Sequence, residues 1–293
     1  MLTERDIQVL LCLFRYYVLS RSQIQRLCFS GDQTGRVTRR RLQTLVDQKL
    51  IQRTEILVVH PDMPSPGPAY FSSPRGLQVL ADYHGDERFL AGTTRPPQVY
   101  RLLHWLAVSE THMILDAALA LHPHVKCRQF FNEWDVVNPE ETEPQRRFRL
   151  YLLIHETPRL VCAPDAAFLL EMDGHRKAFY LEQDRNTSGT RQIAASKTKG
   201  YSVMAEQALH RKHFPDETIG VFNVLMIAPD ERRRDALRKA IRDKPGAELW
   251  KFACIGDVLP ETFFHEPVFF PCIGEPKPLL KQPQTKLTTV EFV

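Results

Sequence analysis

The chain lacks any C-x-x-C pair: its six cysteines, Cys12, Cys28, Cys127, Cys162, Cys254 and Cys272, are scattered, mostly inside apolar runs. That pattern excludes a disulfide framework or cysteine-based zinc site and reads as reduced core thiols of a cytoplasmic protein. No run of about eighteen apolar residues occurs, and the opening MLTERDIQVL reads as a capped helix without a charged leader, so neither membrane spanning nor secretion is expected. Internal repeats and low-complexity tracts are missing. G-x-x-x-x-G-K-[ST] is missing too, so nucleotide hydrolysis is not implied. Ser188 and Ser196 have no histidine and carboxylate in usable context for a serine hydrolase. A relaxase of the common kind needs three histidines of HxH type on a strand. His122 and His124 instead follow a helix with proline between them, so Tyr151, Tyr180 and Tyr201 are not read as its nucleophile. The pairs His104/His112, His122/His124 and His210/His213 have no Cys, Asp or Glu at matching spacing and read as ordinary surface or core histidines.

What is present is the composition of a globular protein large enough for two folded units: 293 residues with 43% hydrophobic and 25% charged side chains. The net charge of +4 is modest, but it is unevenly spread. Residues 1–53 hold ten arginines and lysines against Glu4, Asp6, Asp32 and Asp47, a local +6 that suits nucleic acid. Thr3 caps a helix with Asp6 three residues on, and Ile7, Leu10, Leu11 and Phe14 share a face. Ser20 or Ser22 opens a short second helix. A third, GRVTRRRLQTLVDQKLI, places Val37, Leu42, Leu45 and Val46 inward and leaves arginines outside. With IQRTEILVV as a strand, HPDMPSPGP as a loop, AYFSS as a returning strand and PRGLQVLADYH as a helix, this is a winged helix-turn-helix. Arg36, Thr38, Arg39, Arg40, Arg41 and Gln43 are its candidate DNA-binding residues; the arginines suit phosphates, and Arg36, Thr38, Arg39 and Gln43 are the better candidates for base edges.

Residues 85–98, polar with Pro and Gly, read as a linker. Beyond it the order is a helix over 99–121, a strand near 125–131, an acidic loop, the strand RFRLYLLIH, two apolar strands RLVCAPDAAFLL and KAFYLEQDR, a helix over about 190–210, the strand GVFNVLMIA, the helix DERRRDALRKAIRD and the strand LWKFACIG. The expected fold class is therefore α/β, α+β overall: a winged helix-turn-helix over 1–92, then a restriction-endonuclease-like mixed-sheet domain over 93–262 with helices on both faces. The Pro/aromatic-rich tail 263–293 is expected to wrap on the core in its first half and to end in a mobile or partner-binding stretch.

Asp165 and Glu182 stand seventeen positions apart, each flanked by apolar residues. Two carboxylates level on paired strands hold a hard cation such as Mg²⁺ or Mn²⁺, as in PD-(D/E)xK nucleases; the bland alternative pairs them with loop amides or Arg185. Glu110 on the preceding helix either completes such a site or faces solvent.

The succession of a winged helix, the HWLAVSE helix, PDA in a strand, E-x-D-R-x-T and K-x-x-x-Y on the next helix resembles the replication-relaxation family of plasmids and other mobile elements, over roughly residues 1–256. The resemblance implies a DNA-binding protein of replication, mobilisation or its regulation, with a nuclease-like second domain. It matches Pro164 and Asp165 to the PD element, Glu182 to the first acid of ExK, and Lys197 and Tyr201 to the helix motif. Asp184 stands where an active enzyme has its lysine, whose task is electrostatic stabilisation. Asp184 then either adds a metal ligand while Lys197 or Lys199 reaches in from the helix, or marks a domain that keeps only its shape. The expected metal set is Asp165, Glu182 and Asp184, with Mg or Mn as cofactor if the site is active. The expected partners are DNA, a relaxase or replication protein, and a second copy in a homodimer. An active endonuclease and a transcriptional repressor are the alternatives.

Overall fold

The computed structural model describes residues 2–56, 67–215, 217 and 219–281. It divides into two compact units, Met1–Met113 and Ile114–Val293.

In the first unit, α1 (Glu4–Tyr16) starts at the expected capping box, with the Thr3 and Asp6 side chains each accepting from the other's backbone amide. β1 (Val18–Ser20) follows, and Ser20 caps α2 (Arg21–Cys28) through a second capping box with Gln23. Next come α3 (Arg36–Asp47), β2 (Ile51–Glu55), β3 (Pro68–Ser72) and α4 (Pro74–His84). The three strands pair antiparallel in the order β1-β3-β2, so helix, strand, two helices and a hairpin give the winged helix-turn-helix connectivity. The wing loop, with the end of IQRTEILVV and most of HPDMPSPGP, lies outside the described residues. The core gathers Val9, Leu10, Leu13, Leu19, Ile24, Leu42, Leu45 and Leu80, and burying each such side chain contributes about 1.5–3 kcal/mol. Gly76 lets α4 settle on the turn after α3, since a Cβ there would stand 2.1 Å from the Leu50 carbonyl oxygen. The segment read as a linker packs on this unit: Phe89 is edge-on to Phe14, and the Tyr17 hydroxyl donates to the Arg95 carbonyl at 2.8 Å. α5 (Val99–Leu121) occupies the expected span, and the division between units falls within it.

The second unit holds β4 (Val125–Asn132), α6 (Pro144–Arg147), β5 (Leu152–His155), β6 (Leu160–Cys162), β7 (Ala166–Met172), β8 (His175–Gln183), α7 (Thr190–Glu206), β9 (Phe222–Ala228), α8 (Glu231–Ile241), β10 (Trp250–Cys254) and β11 (Phe270–Pro271). The mixed six-stranded sheet runs β11-β10-β9-β8-β7-β4. β4, β7 and β8 are antiparallel neighbours, and β9 and β10 add in parallel. The fold class is thus mixed α/β with a winged first unit. RLVCAPDAAFLL is two strands rather than one: Pro164, which has no amide to give a ladder, separates β6, paired with β5, from β7 in the main sheet.

α7 and α8 bury Ala194, Tyr201, Met204, Leu237 and Ile241 in one cluster with Leu169, Tyr180, Val224, Phe252 and Trp250, so these two helices lie on the same sheet face. Two successive right-handed crossovers that advance in one direction, β8 to β9 to β10, place their helices on one side. The first half of the C-terminal tail packs: Phe263, Phe264 and Phe269 are buried and β11 pairs with β10. Its last stretch, residues 282–293, lies outside the described residues.

Candidate functional site

On α3, period 3.6 turns Thr38, Leu42 and Leu45 inward. Thr38 is fully buried, its amide and hydroxyl both donating to Asp32 at 2.8 Å, so it is withdrawn from the base-contacting set. Val37, expected inside, is 43% exposed, because the inward positions follow 38-42-45 and 37 falls outside that face. Arg41 is also withdrawn: it grips the buried Asp6 carboxylate with two nitrogens, which ties α3 to the cap of α1. Burial would raise Asp6, but hydrogen bonds from Arg41 and Thr3 outweigh it and hold the carboxyl below its usual value. The outer face of α3 therefore presents Arg36, Val37, Arg39, Arg40 and Gln43, and the three arginines make no ion pair with any described residue. Glu110 is engaged by Arg26 and Gln23 within the first unit.

In the second unit, register brings the acids together. Ala166 pairs with Leu181 on one side and with Asn132 on the other, so the next residues, Glu182 and Glu133, flank Asp165 at the same level of three adjacent strands. Backbone bonds fix this level: the Asp165 amide donates to the Leu181 carbonyl at 3.1 Å, and the Glu133 amide donates to the Asp165 carbonyl at 2.9 Å. Alternation then puts Asp165 on the side of Ala167 and Leu169, and Glu182 on the side of Tyr180, which is the face that α7 covers. The Glu133 and Asp165 carboxylates lie within 4.8 Å of each other. Glu133 was not among the sequence candidates; it stands in the acidic stretch after β4, and only strand pairing brings it beside Asp165.

Lys197 and Tyr201, four apart on α7, reach the same carboxylate. The Lys197 ammonium donates to Glu182 at 3.0 and 2.8 Å and to the Ala163 carbonyl at 3.1 Å, and the Tyr201 hydroxyl donates to Glu182 at 2.6 Å. Lys199, two residues on from Lys197, is exposed and does not join them. Asp184 is not a third ligand either: Arg233 of α8 holds it with two nitrogens at 2.7 and 3.0 Å and also donates to the Ser188 carbonyl at 2.6 Å.

Burial and charge together set the pKa directions. Burial pushes the Glu182 carboxyl up, the Lys197 charge pulls it down, and the neighbouring Asp165 pushes it up again, for a net rise. Burial by itself lowers Lys197, but Glu182 and Asp165 outweigh it and its pKa rises as well. The Lys197 rise, driven by Glu182 and Asp165 against burial, reflects an excess of negative charge around its ammonium, which favours an added proton or cation. Mg²⁺ and Mn²⁺ take carboxylate oxygens, and Asp165 and Glu133, within 4.8 Å of each other, fit such an ion, with Glu182 level with Asp165 on the adjacent strand. Its chemistry there would be water activation and phosphate polarisation. A separate cleft of about 360 Å³ at the β5–β6 hairpin, lined by Glu143, Tyr151, Leu153 and Arg159 among others, contains none of these residues.

No curated protein and no solved structure matches the chain. A family model does, the one described as replication-relaxation, over residues 10–216. That span takes in the winged unit from the middle of α1 onward, the Asp165 and Glu182 strands and the Lys197/Tyr201 helix, and the chain belongs to the replication-relaxation family.

Proposed function

We propose that this chain binds the DNA of a mobile element through α3 and cuts it at a divalent-cation site formed by Asp165, Glu182 and Glu133, in the service of replication or mobilisation. Family membership supports the setting. The outer face of α3 supports the DNA: three guanidiniums suited to phosphates and guanine edges, Gln43 for adenine and Val37 for a thymine methyl. The observation that carries the catalytic half is Lys197. The position where a PD-(D/E)xK enzyme keeps its lysine holds Asp184, neutralised by Arg233, and a lysine from α7 reaches the Glu182 carboxylate instead. It is the residue to orient the attacking water and balance charge on the phosphate. One observation favours a second reading, in which the domain is a DNA-holding scaffold: Glu182 is already satisfied by both Lys197 and Tyr201. A relaxase or replication protein is the partner class this proposal implies, and a two-fold symmetric DNA site would call for a homodimer.

The deciding experiment incubates supercoiled and single-stranded plasmid DNA with Mg²⁺ or Mn²⁺ and the wild type, Asp165→Asn or Glu182→Gln, with binding measured on the same samples. The expected result is metal-dependent cutting lost in both variants with binding retained. Binding without cutting under both metals assigns the scaffold role. For α3, joint replacement of Arg39 and Arg40 by alanine is expected to weaken DNA binding at least about tenfold and to reduce the log-log salt slope by about 2. Unchanged affinity and slope would remove α3 from the interface.

A further inference from the structure

His122, His124 and His265 come together although more than 140 positions separate the first from the last. The His122 amide still bonds to the Ala118 carbonyl at the end of α5, and the Val125 amide closes back on the His122 carbonyl at 2.9 Å, so His122-Pro123-His124 is the tight turn between α5 and β4. Proline at its second position pre-sets that turn. His265 follows the fully buried Phe264, whose carbonyl accepts from the Leu280 amide at 2.9 Å, and the His122 ring stands edge-on to Phe264. All three imidazoles thus rise from anchored backbone. Each offers a ring nitrogen within 4.8 Å of the others.

We propose that His122, His124 and His265 form a binding site for a Zn²⁺-class divalent cation. Imidazole nitrogen is the donor that Zn²⁺, Co²⁺, Ni²⁺ and Cu²⁺ prefer and that Mg²⁺ and Ca²⁺ do not, which separates this site from the carboxylates of the other. Zinc–nitrogen bonds of about 2.0–2.1 Å in a tetrahedral site put nitrogens about 3.3 Å apart. The Nε2 atoms of His124 and His265 are 3.1 Å apart. The Nε2 of His122 is out of solvent with no hydrogen-bond partner among the described residues, a costly state for a ring nitrogen that a cation relieves. Burial and the two neighbouring rings also keep His265 below the ordinary imidazole pKa, toward the neutral form that ligates metal. Three protein ligands leave one coordination position for water or an anion. Binding there clamps the segment after Phe263 to the turn between α5 and β4.

The test uses the untagged full chain, dialysed against chelator and titrated with ZnCl₂ by calorimetry and with CoCl₂ by visible absorption. Wild type is expected to take up one Zn²⁺ per chain and to give the intense absorption of tetrahedral Co²⁺. His124→Ala, at an exposed position where folding is not at stake, is expected to weaken binding by at least about 10–100-fold, and His265→Ala likewise. Asp165→Asn is expected to bind as wild type does. No stoichiometric Zn²⁺ uptake by the wild type, equal affinity in His124→Ala, or loss of Zn²⁺ on Asp165→Asn would each overturn the proposal.

Discussion

Replacing Arg233 by alanine is expected to cost about 3 kcal/mol of stability, because it strips the buried Asp184 carboxylate of its cation. Both side chains are at least nine-tenths buried, and the guanidinium makes three bonds, two to Asp184 and one to the Ser188 carbonyl. Of the contacts described, only the Asn186 amide would still serve Asp184. The loss is mostly the penalty of the abandoned charge, so Arg233→Ala combined with Asp184→Asn should recover a good part of it. Denaturant unfolding of the two single variants and the double variant checks this. If the double variant is no more stable than Arg233→Ala, the buried pair is not what holds α8 to the end of β8.

Acid is expected to destabilise the second unit through His213. This imidazole is 2% exposed, with its Nδ1 2.9 Å from the Tyr180 hydroxyl. Burial, then the neighbouring charges of His210, Arg149 and Lys212, lower its pKa from 6.5 to about 4. The folded chain thus refuses a proton that the unfolded chain accepts. The stability this contributes is complete above about pH 6.5 and is lost as the pH falls toward 4, in total about 3 kcal/mol. His213→Gln removes the titration while keeping a polar group near Tyr180. Unfolding free energies measured from pH 7 to 4 should fall about 3 kcal/mol less in the variant than in wild type. Parallel curves would show that other groups carry the acid sensitivity.

The sequence determined the features that neighbours along the chain decide. The Thr3 and Asp6 box starts α1, the apolar period places α5 at 99–121, and Lys197 and Tyr201, four apart, share a face of α7. Each depends on contacts within one or two turns, which residue type and spacing encode directly. The phase of α3 was harder to read, because Val37 and Thr38 are adjacent and of similar shape. Thr38 goes inside because Asp32, six residues earlier, accepts from both its amide and its hydroxyl. Tertiary structure alone decided the rest. Strand register set Glu133 beside Asp165, a crossover brought Arg233 to claim Asp184, and the packing of Phe264 carried His265 to His122 and His124. A buried charge or an open ring nitrogen selects its partner by distance in space, and residues far apart in sequence are free to meet there. The acids of the candidate site were therefore legible as residue types, while their company was fixed only when the strands paired.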